Sequence, residues 1–166
     1  MAAYEYNDIE GTKYERVIRL LGEMGIGFAG ESFKPDEVIT VGEFKSLLNY
    51  SGQVYYVDYV RNGSDEKEAE KKAAEEAKKL TRENAADVLV EGMGAKKFAA
   101  MDIFKTGYSD EEKISADKLG AVTIMKGMGI MKAKSGKKFM PGAKVTRGEA
   151  AEIVFNFLTK NMRDIG

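Results

Sequence analysis

Two arginines each stand directly after a threonine that is placed to begin a helix. Arg147 follows Thr146 in Val145-Thr146-Arg147-Gly148-Glu149, and Arg82 follows Thr81 in Leu80-Thr81-Arg82-Glu83-Asn84. In the first of these, Thr146 can accept from the third backbone N–H while Glu149 reaches back to the Thr146 N–H, the pattern of a capping box. A cation just inside a helix start lies at the positive end of the helix dipole, which is unfavourable by ~0.3–1 kcal/mol unless an anion offsets it. Guanidinium and free N–H groups together make a corner for a carboxylate, which arginine holds bidentately. The internal alternative is that Arg147 pairs with an acid of its own chain such as Asp110, or only packs its stem. The two uses are compatible.

Composition removes most other chemistry. The 166 residues include no Cys and no His, which excludes thiolate and imidazole metal sites, Ser-His triads, cysteine nucleophiles and disulfides. No metal site or cofactor is expected. With 26 Lys and Arg against 27 Asp and Glu the formal net charge is −1, so no global attraction for nucleic acid is expected. No run approaches the ~20 apolar residues of a membrane span, and Met1-Ala2-Ala3 leads into polar sequence without a signal-peptide core. The expectation is a soluble chain that does not insert into a membrane.

The elements that must carry the arginines repeat along the chain. Tyr6-Asn7-Asp8-Ile9 returns as Tyr108-Ser109-Asp110, and each is followed by a helical stripe: Tyr14, Val17, Ile18, Leu21 and Met24 in one, Leu119, Val122 and Met125 in the other. Both stripes stop at the same signal, Gly25-Ile26 and Gly129-Ile130, a left-handed glycine followed by an apolar residue that folds back. Then come Gly30-Glu31-Ser32-Phe33-Lys34-Pro35 and Gly136-Lys137-Lys138-Phe139-Met140-Pro141, and second helices opening at Thr40 and Thr146. Each unit reads as helix, glycine-turned loop with a buried Phe before Pro, and helix.

Between them the pattern is less regular. Gln53–Val60 is aromatic and β-branched, which suits a short strand or an extended packed segment, and Asn62-Gly63-Ser64 reads as a turn. Asp65–Lys79 is almost entirely Glu, Lys and Ala with the acids first, a solvated helix. A run from Leu80 through Val88, Leu89 and Met93 to Gly94 looks like another second helix. The fold class expected is all-α, with at most a short β segment near 53–60.

In this order the motifs resemble the S-layer homology family, whose repeats of roughly fifty to sixty residues often occur three at a time in bacterial surface proteins. The resemblance implies a single domain over residues 1–166, with repeat one at 4–50, a degenerate repeat two at 51–95 and repeat three at 104–160. It further implies a pseudo-threefold helical prism whose grooves hold pyruvylated secondary cell-wall polysaccharide. The activity implied is non-covalent anchoring outside the cell, on the surface or wall of a bacterium, with an anionic wall polysaccharide as partner and other surface-protein domains as further ones. A pyruvyl ketal supplies the carboxylate that the arginine corner would take. Arg147 and Arg82 are the implied carboxylate contacts, and Asp110, Asp8 and Tyr14 match further groove positions. Asp at such a place also caps or turns a chain, and the position of Tyr14 on the helix stripe favours core packing over stacking on a sugar.

Departures from the pattern are informative. Val41 stands where repeat one should carry arginine, repeat two lacks a clear Gly-Ile and Phe-x-Pro loop, and Asn84 replaces the capping Glu. Ala69, Ala73, Ala77 and Leu80 keep a helical period into Ala85 and Leu89, which would bury Arg82 inside one continuous helix instead of at a start. Lys132, Lys134, Lys137 and Lys138 make a loop that either attracts an acidic polymer or stays solvated. Beside the anchor stands a second reading, a helical scaffold or protein-interaction module of a larger surface protein. A third, an enzyme working with carboxylates or Lys alone, has no persuasive pair of acids behind it.

Overall fold

The computed structural model describes residues 3–49, 66–101 and 103–161. The helices are α1 (Glu15–Glu23), α2 (Val41–Leu48), α3 (Glu66–Glu76), α4 (Arg82–Gly92), α5 (Lys96–Ala99), α6 (Leu119–Gly127) and α7 (Arg147–Asn161), with short 3-10 turns at Glu111–Lys113 and Ala116–Lys118. The fold is mainly helical. Among the described residues extended pairing is confined to isolated antiparallel bridges, such as Val38 with Thr146 and Thr81 with Lys144. The segment 53–60 and the turn at 62–64 lie outside the described residues.

Two compact units divide the chain, one formed by Met1–Leu80 with Thr146–Ala151 and the other by Thr81–Val145 with Glu152–Gly166. The core of the first is built on Ile9, Ile18, Leu21, Ile26, Phe33, Ile39, Phe44 and Leu47, all nearly inaccessible to solvent. In the second, Ala85, Leu89 and Val90 of α4 face α6 with its Val122 and Met125, and Phe139, Val154 and Phe157 are also buried. Of the stripes read from the sequence, Tyr14, Ile18, Leu21, Val122 and Met125 are buried, Val17 and Leu119 are half-buried, and Met24, at the end of the first stripe, is exposed.

Helix ends follow local chemistry. After α1 the Gly25 N–H donates to Gly22 and the Ile26 N–H to Leu21, with Gly25 at φ 75°. After α6, Gly129 at φ 66° and Ile130 repeat this pattern onto Lys126 and Met125. These are Schellman ends, in which a left-handed glycine lets two orphan carbonyls find donors. Thr40 and Thr146 each accept from the N–H of the Glu three residues on, and each Glu carboxylate accepts the Thr N–H in return. Thr81 accepts only from the Asn84 N–H, so its box is half made.

The continuous-helix reading of the middle segment does not hold. The charged helix α3 has no buried residue and stops at Glu76; the chain then turns and extends, and Thr81 caps a new helix in which Arg82 comes first. A helix without an apolar face gains little from tertiary contacts, whereas Leu80 is fully buried and anchors the extended stretch by donating its N–H to Ile39.

Candidate functional site

Both arginines sit at helix starts, and both guanidiniums engage the interior of their own unit. In the first unit, Arg147 Nη2 lies 2.7 Å from Glu43 Oε1 and Nη1 donates to the Phe33 carbonyl at 3.2 Å. Its Cζ stands 4.5 Å from the centre of the Phe28 ring, and its side chain is only 13% exposed. The anion offsetting its place at the helix start is thus Glu43, the same carboxylate whose other oxygen completes the Thr40 capping box. Asp110, the neighbour expected from the sequence, has other partners. Burial acts to raise the Glu43 carboxyl, but the Thr40 N–H and the Arg147 guanidinium outweigh it and hold it below its ordinary value.

In the second unit, Arg82 is 7% exposed. Its Nε donates to the Phe139 carbonyl at 2.8 Å, Nη2 donates to the Lys132 carbonyl, and Cζ stands 4.7 Å over the Phe139 ring. Each guanidinium therefore clamps the phenylalanine loop of another repeat: Arg147 the loop of repeat one, Arg82 the loop of repeat three.

Asp8 and Asp110 grip the same loops from the other end. Asp8 accepts from the N–H groups of Phe33 and Lys34 at 2.8 and 2.7 Å, and Asp110 from those of Phe139 and Met140, both at 2.8 Å. Lys34 and Met140 stand at φ 58° and 59°, a left-handed conformation that costs a residue with a side chain about 1 kcal/mol or more. The carboxylate bonds hold that strained residue in place. Burial works to raise the Asp110 carboxyl, and the Phe139 and Met140 N–H groups outweigh it, so it is held below the usual carboxylate value.

Tyr14 is 5% exposed and lies against the backbone of Gly148, where any Cβ would overlap its ring. Gly148→Ala must push the ring aside and should destabilise the protein by about 1–3 kcal/mol, as overpacking does, read as a lower urea midpoint at unchanged slope.

One arrangement was only half legible in the sequence. In the second unit a cleft of about 290 Å³ is lined by Tyr108, Lys126, Lys132 and Lys137 together with Gly107, Met131, Ala133 and Gly136. Three lysines and no acidic residue line it. Lys126 Nζ lies 4.4 Å over the Tyr108 ring and donates to the Thr106 carbonyl. Burial pushes the Tyr108 hydroxyl up, against a lowering by Arg82, so it stays a donor at neutral pH. The loop lysines were a visible signal, but the partnership of Lys126 and Tyr108, eighteen residues apart, was not. Among the described residues no group of three or more carboxylates could hold a metal ion, and no helix is long and apolar enough to cross a membrane.

Comparison with known proteins bears on this same stretch. Residues 107–151 match the family described as the S-layer homology domain. The amylopullulanase of Thermoanaerobacterium thermosulfurigenes is 25% identical over 185 residues, covering 96% of this chain and 10% of that enzyme. The chain thus spans about a tenth of the length of the curated relative it matches. Domains of the matched family are non-catalytic and typically anchor proteins at the cell surface. The stretch that matches the S-layer homology domain, residues 107–151, holds both the Asp110 clamp and the lysine cleft.

Proposed function

We propose that this chain is a non-catalytic anchor that binds an anionic secondary cell-wall polysaccharide, of the pyruvylated kind, non-covalently and outside the bacterial cell. The observation that carries the reading is the cleft lined by Lys126, Lys132, Lys137 and Tyr108 within the family-matching stretch. Three lysines on a concave surface without a carboxylate attract a negatively charged polymer, and a tyrosine supplies an amphipathic wall for a sugar. Arg82 and Asp110 are positioning residues in this reading: one holds Lys132 and Phe139 through their carbonyls, the other holds Phe139 and Met140 through their N–H groups. Arg147, Asp8 and Tyr14 shape the corresponding loop of repeat one.

Retention on purified cell-wall sacculi tests this. Lys126→Glu with Lys137→Glu changes two exposed side chains and should reduce retention at least tenfold while the far-ultraviolet circular dichroism stays unchanged. Chemical removal of pyruvyl groups should act likewise on the wild type. Full retention of the double variant would remove the lysine cleft as the wall contact, full retention on depyruvylated walls would remove the pyruvyl group as its target, and no retention of the wild type would remove the anchor reading.

A scaffold or interaction module is the second reading. Its support is the internal engagement of both guanidiniums and an apolar surface where Phe98, Met101 and Ile103 are exposed near a cleft of about 440 Å³ between α5 and α6. In that case sacculi retain neither form.

A further inference from the structure

Tyr108 and its counterpart in repeat one, Tyr6, differ in one respect that bears on ligand chemistry. The Tyr6 hydroxyl accepts the Phe28 N–H at 2.7 Å and donates to the Phe28 carbonyl at 2.9 Å. Lys132 occupies the position equivalent to Phe28, counted from the shared Gly-Ile stops, and Arg82 takes its carbonyl. The Tyr108 hydroxyl is consequently left without a hydrogen-bond partner among the described residues, although the side chain is 8% exposed. A buried hydroxyl without a partner costs about 1–3 kcal/mol, which a molecule entering the cleft recovers if it offers an acceptor.

Other differences between the two repeats act in the same direction. Lys126 corresponds to Gly22, whose backbone lies under Tyr4, and Lys137 corresponds to Glu31. Tyr4 stacks on Tyr6, and the Tyr6 ring meets Phe33 edge-on. Repeat one therefore holds aromatic rings and an acid where repeat three holds a cleft and lysines. With the Tyr6 hydroxyl paired and Gly22 and Glu31 standing for Lys126 and Lys137, the equivalent place lacks that free donor and those two ammonium groups.

We propose, building on the anchor reading, that the cleft of repeat three takes one carboxylate-bearing sugar unit, with the Tyr108 hydroxyl donating to an oxygen of that unit, and that the equivalent place in repeat one takes none. Lys126, Lys132 and Lys137 set the charge of the occupant. The volume, near the lower end for small-molecule pockets, sets its size at a single ring and its substituent. The hydroxyl oxygen is itself covered, and the lysines that line the cleft with Tyr108 are exposed side chains. Occupancy is one per chain.

The test uses the whole chain and acidic oligosaccharides released from sacculi, with their carboxylates intact or amidated by carbodiimide. Titration calorimetry of the wild type should give one site for the intact fragments and no binding for the amidated ones. Tyr108→Phe keeps the ring and removes the hydroxyl; affinity should fall about tenfold, in keeping with the loss of one hydrogen bond to a charged group, while the melting temperature holds or rises. Tyr6→Phe should do the reverse, lowering the melting temperature and leaving affinity unchanged. A Tyr108→Phe protein that binds like wild type, while Lys126→Glu with Lys137→Glu does not bind, overturns the role of the hydroxyl and leaves the anchor standing. A Tyr108→Phe protein that melts as early as Tyr6→Phe overturns it as well, by revealing an internal partner. Two sites per chain would overturn the assignment to repeat three alone. No binding by the wild type would overturn both this assignment and the anchor reading beneath it.

Discussion

Glu43→Ala should lower the free energy of unfolding by about 3 kcal/mol, the low end of the cost of leaving a buried charge unpaired. The carboxylate has two duties that the substitution ends together. One oxygen accepts the Thr40 N–H and completes the α2 cap, and the other pairs with Arg147 at 2.7 Å. Loss of the cap alone is worth ~1 kcal/mol. The larger share comes from Arg147, which keeps its charge, remains mostly covered, and already has its Nε without a partner among the described residues. Urea unfolding followed by circular dichroism measures the loss, and Arg147→Met in the same background should restore part of it, because an apolar side chain of similar length leaves no orphan charge. If Glu43→Ala costs under 1 kcal/mol, the pair contributes no more than an exposed one. Arg147→Ala is for the same reason an unsuitable probe of ligand binding, since it weakens the loop it holds.

Asp110→Ala should cost about 2–3 kcal/mol, since the buried Phe139 N–H and the partly buried Met140 N–H lose a charged acceptor together. The substitution also releases the left-handed Met140, whose conformation depends on that anchor. Acid stability gives an independent readout. The Asp110 and Glu43 carboxyls are both held below their ordinary values in the folded protein, so the stability they contribute is complete above the unfolded carboxylate value of about 4 and is lost as pH falls through the folded values. Wild type should therefore lose unfolding free energy below about pH 4, and Asp110→Ala should show a shallower acid limb. An acid limb of equal steepness in the variant would show that Asp110 ionises alike in both states.

Much of the local architecture was legible in the residues because it is governed by chemistry within a few positions. The Gly-Ile stops, the Thr-x-x-Glu boxes and the apolar stripes depend on backbone orphans and on helical period, and the corresponding ends and faces formed where those signals stood. The middle segment was misleading for a physical reason. Alanine at every fourth position keeps a helical rhythm at little energetic consequence, whereas the burial of Leu80 and the Thr81 cap are strong terms, and they broke the helix ahead of Arg82.

Long-range partnerships were beyond the reach of spacing. An arginine beside a helix start announces that an anion or another acceptor must be near, and residue order cannot say whether that partner is internal. Only the tertiary structure brought Glu43 to Arg147 across 104 positions and laid Arg82 on the carbonyls of Lys132 and Phe139. It decided as well that Lys126 and Tyr108 share a wall with the loop lysines, because the turn of α6 and the clamp on Phe139 are properties of packing. The chain alone determined helices, caps, turns and the absence of thiol and imidazole chemistry, all of which depend on neighbours in sequence or on composition. The tertiary structure decided which charges neutralise one another inside and which stay exposed, since that depends on distances folding creates.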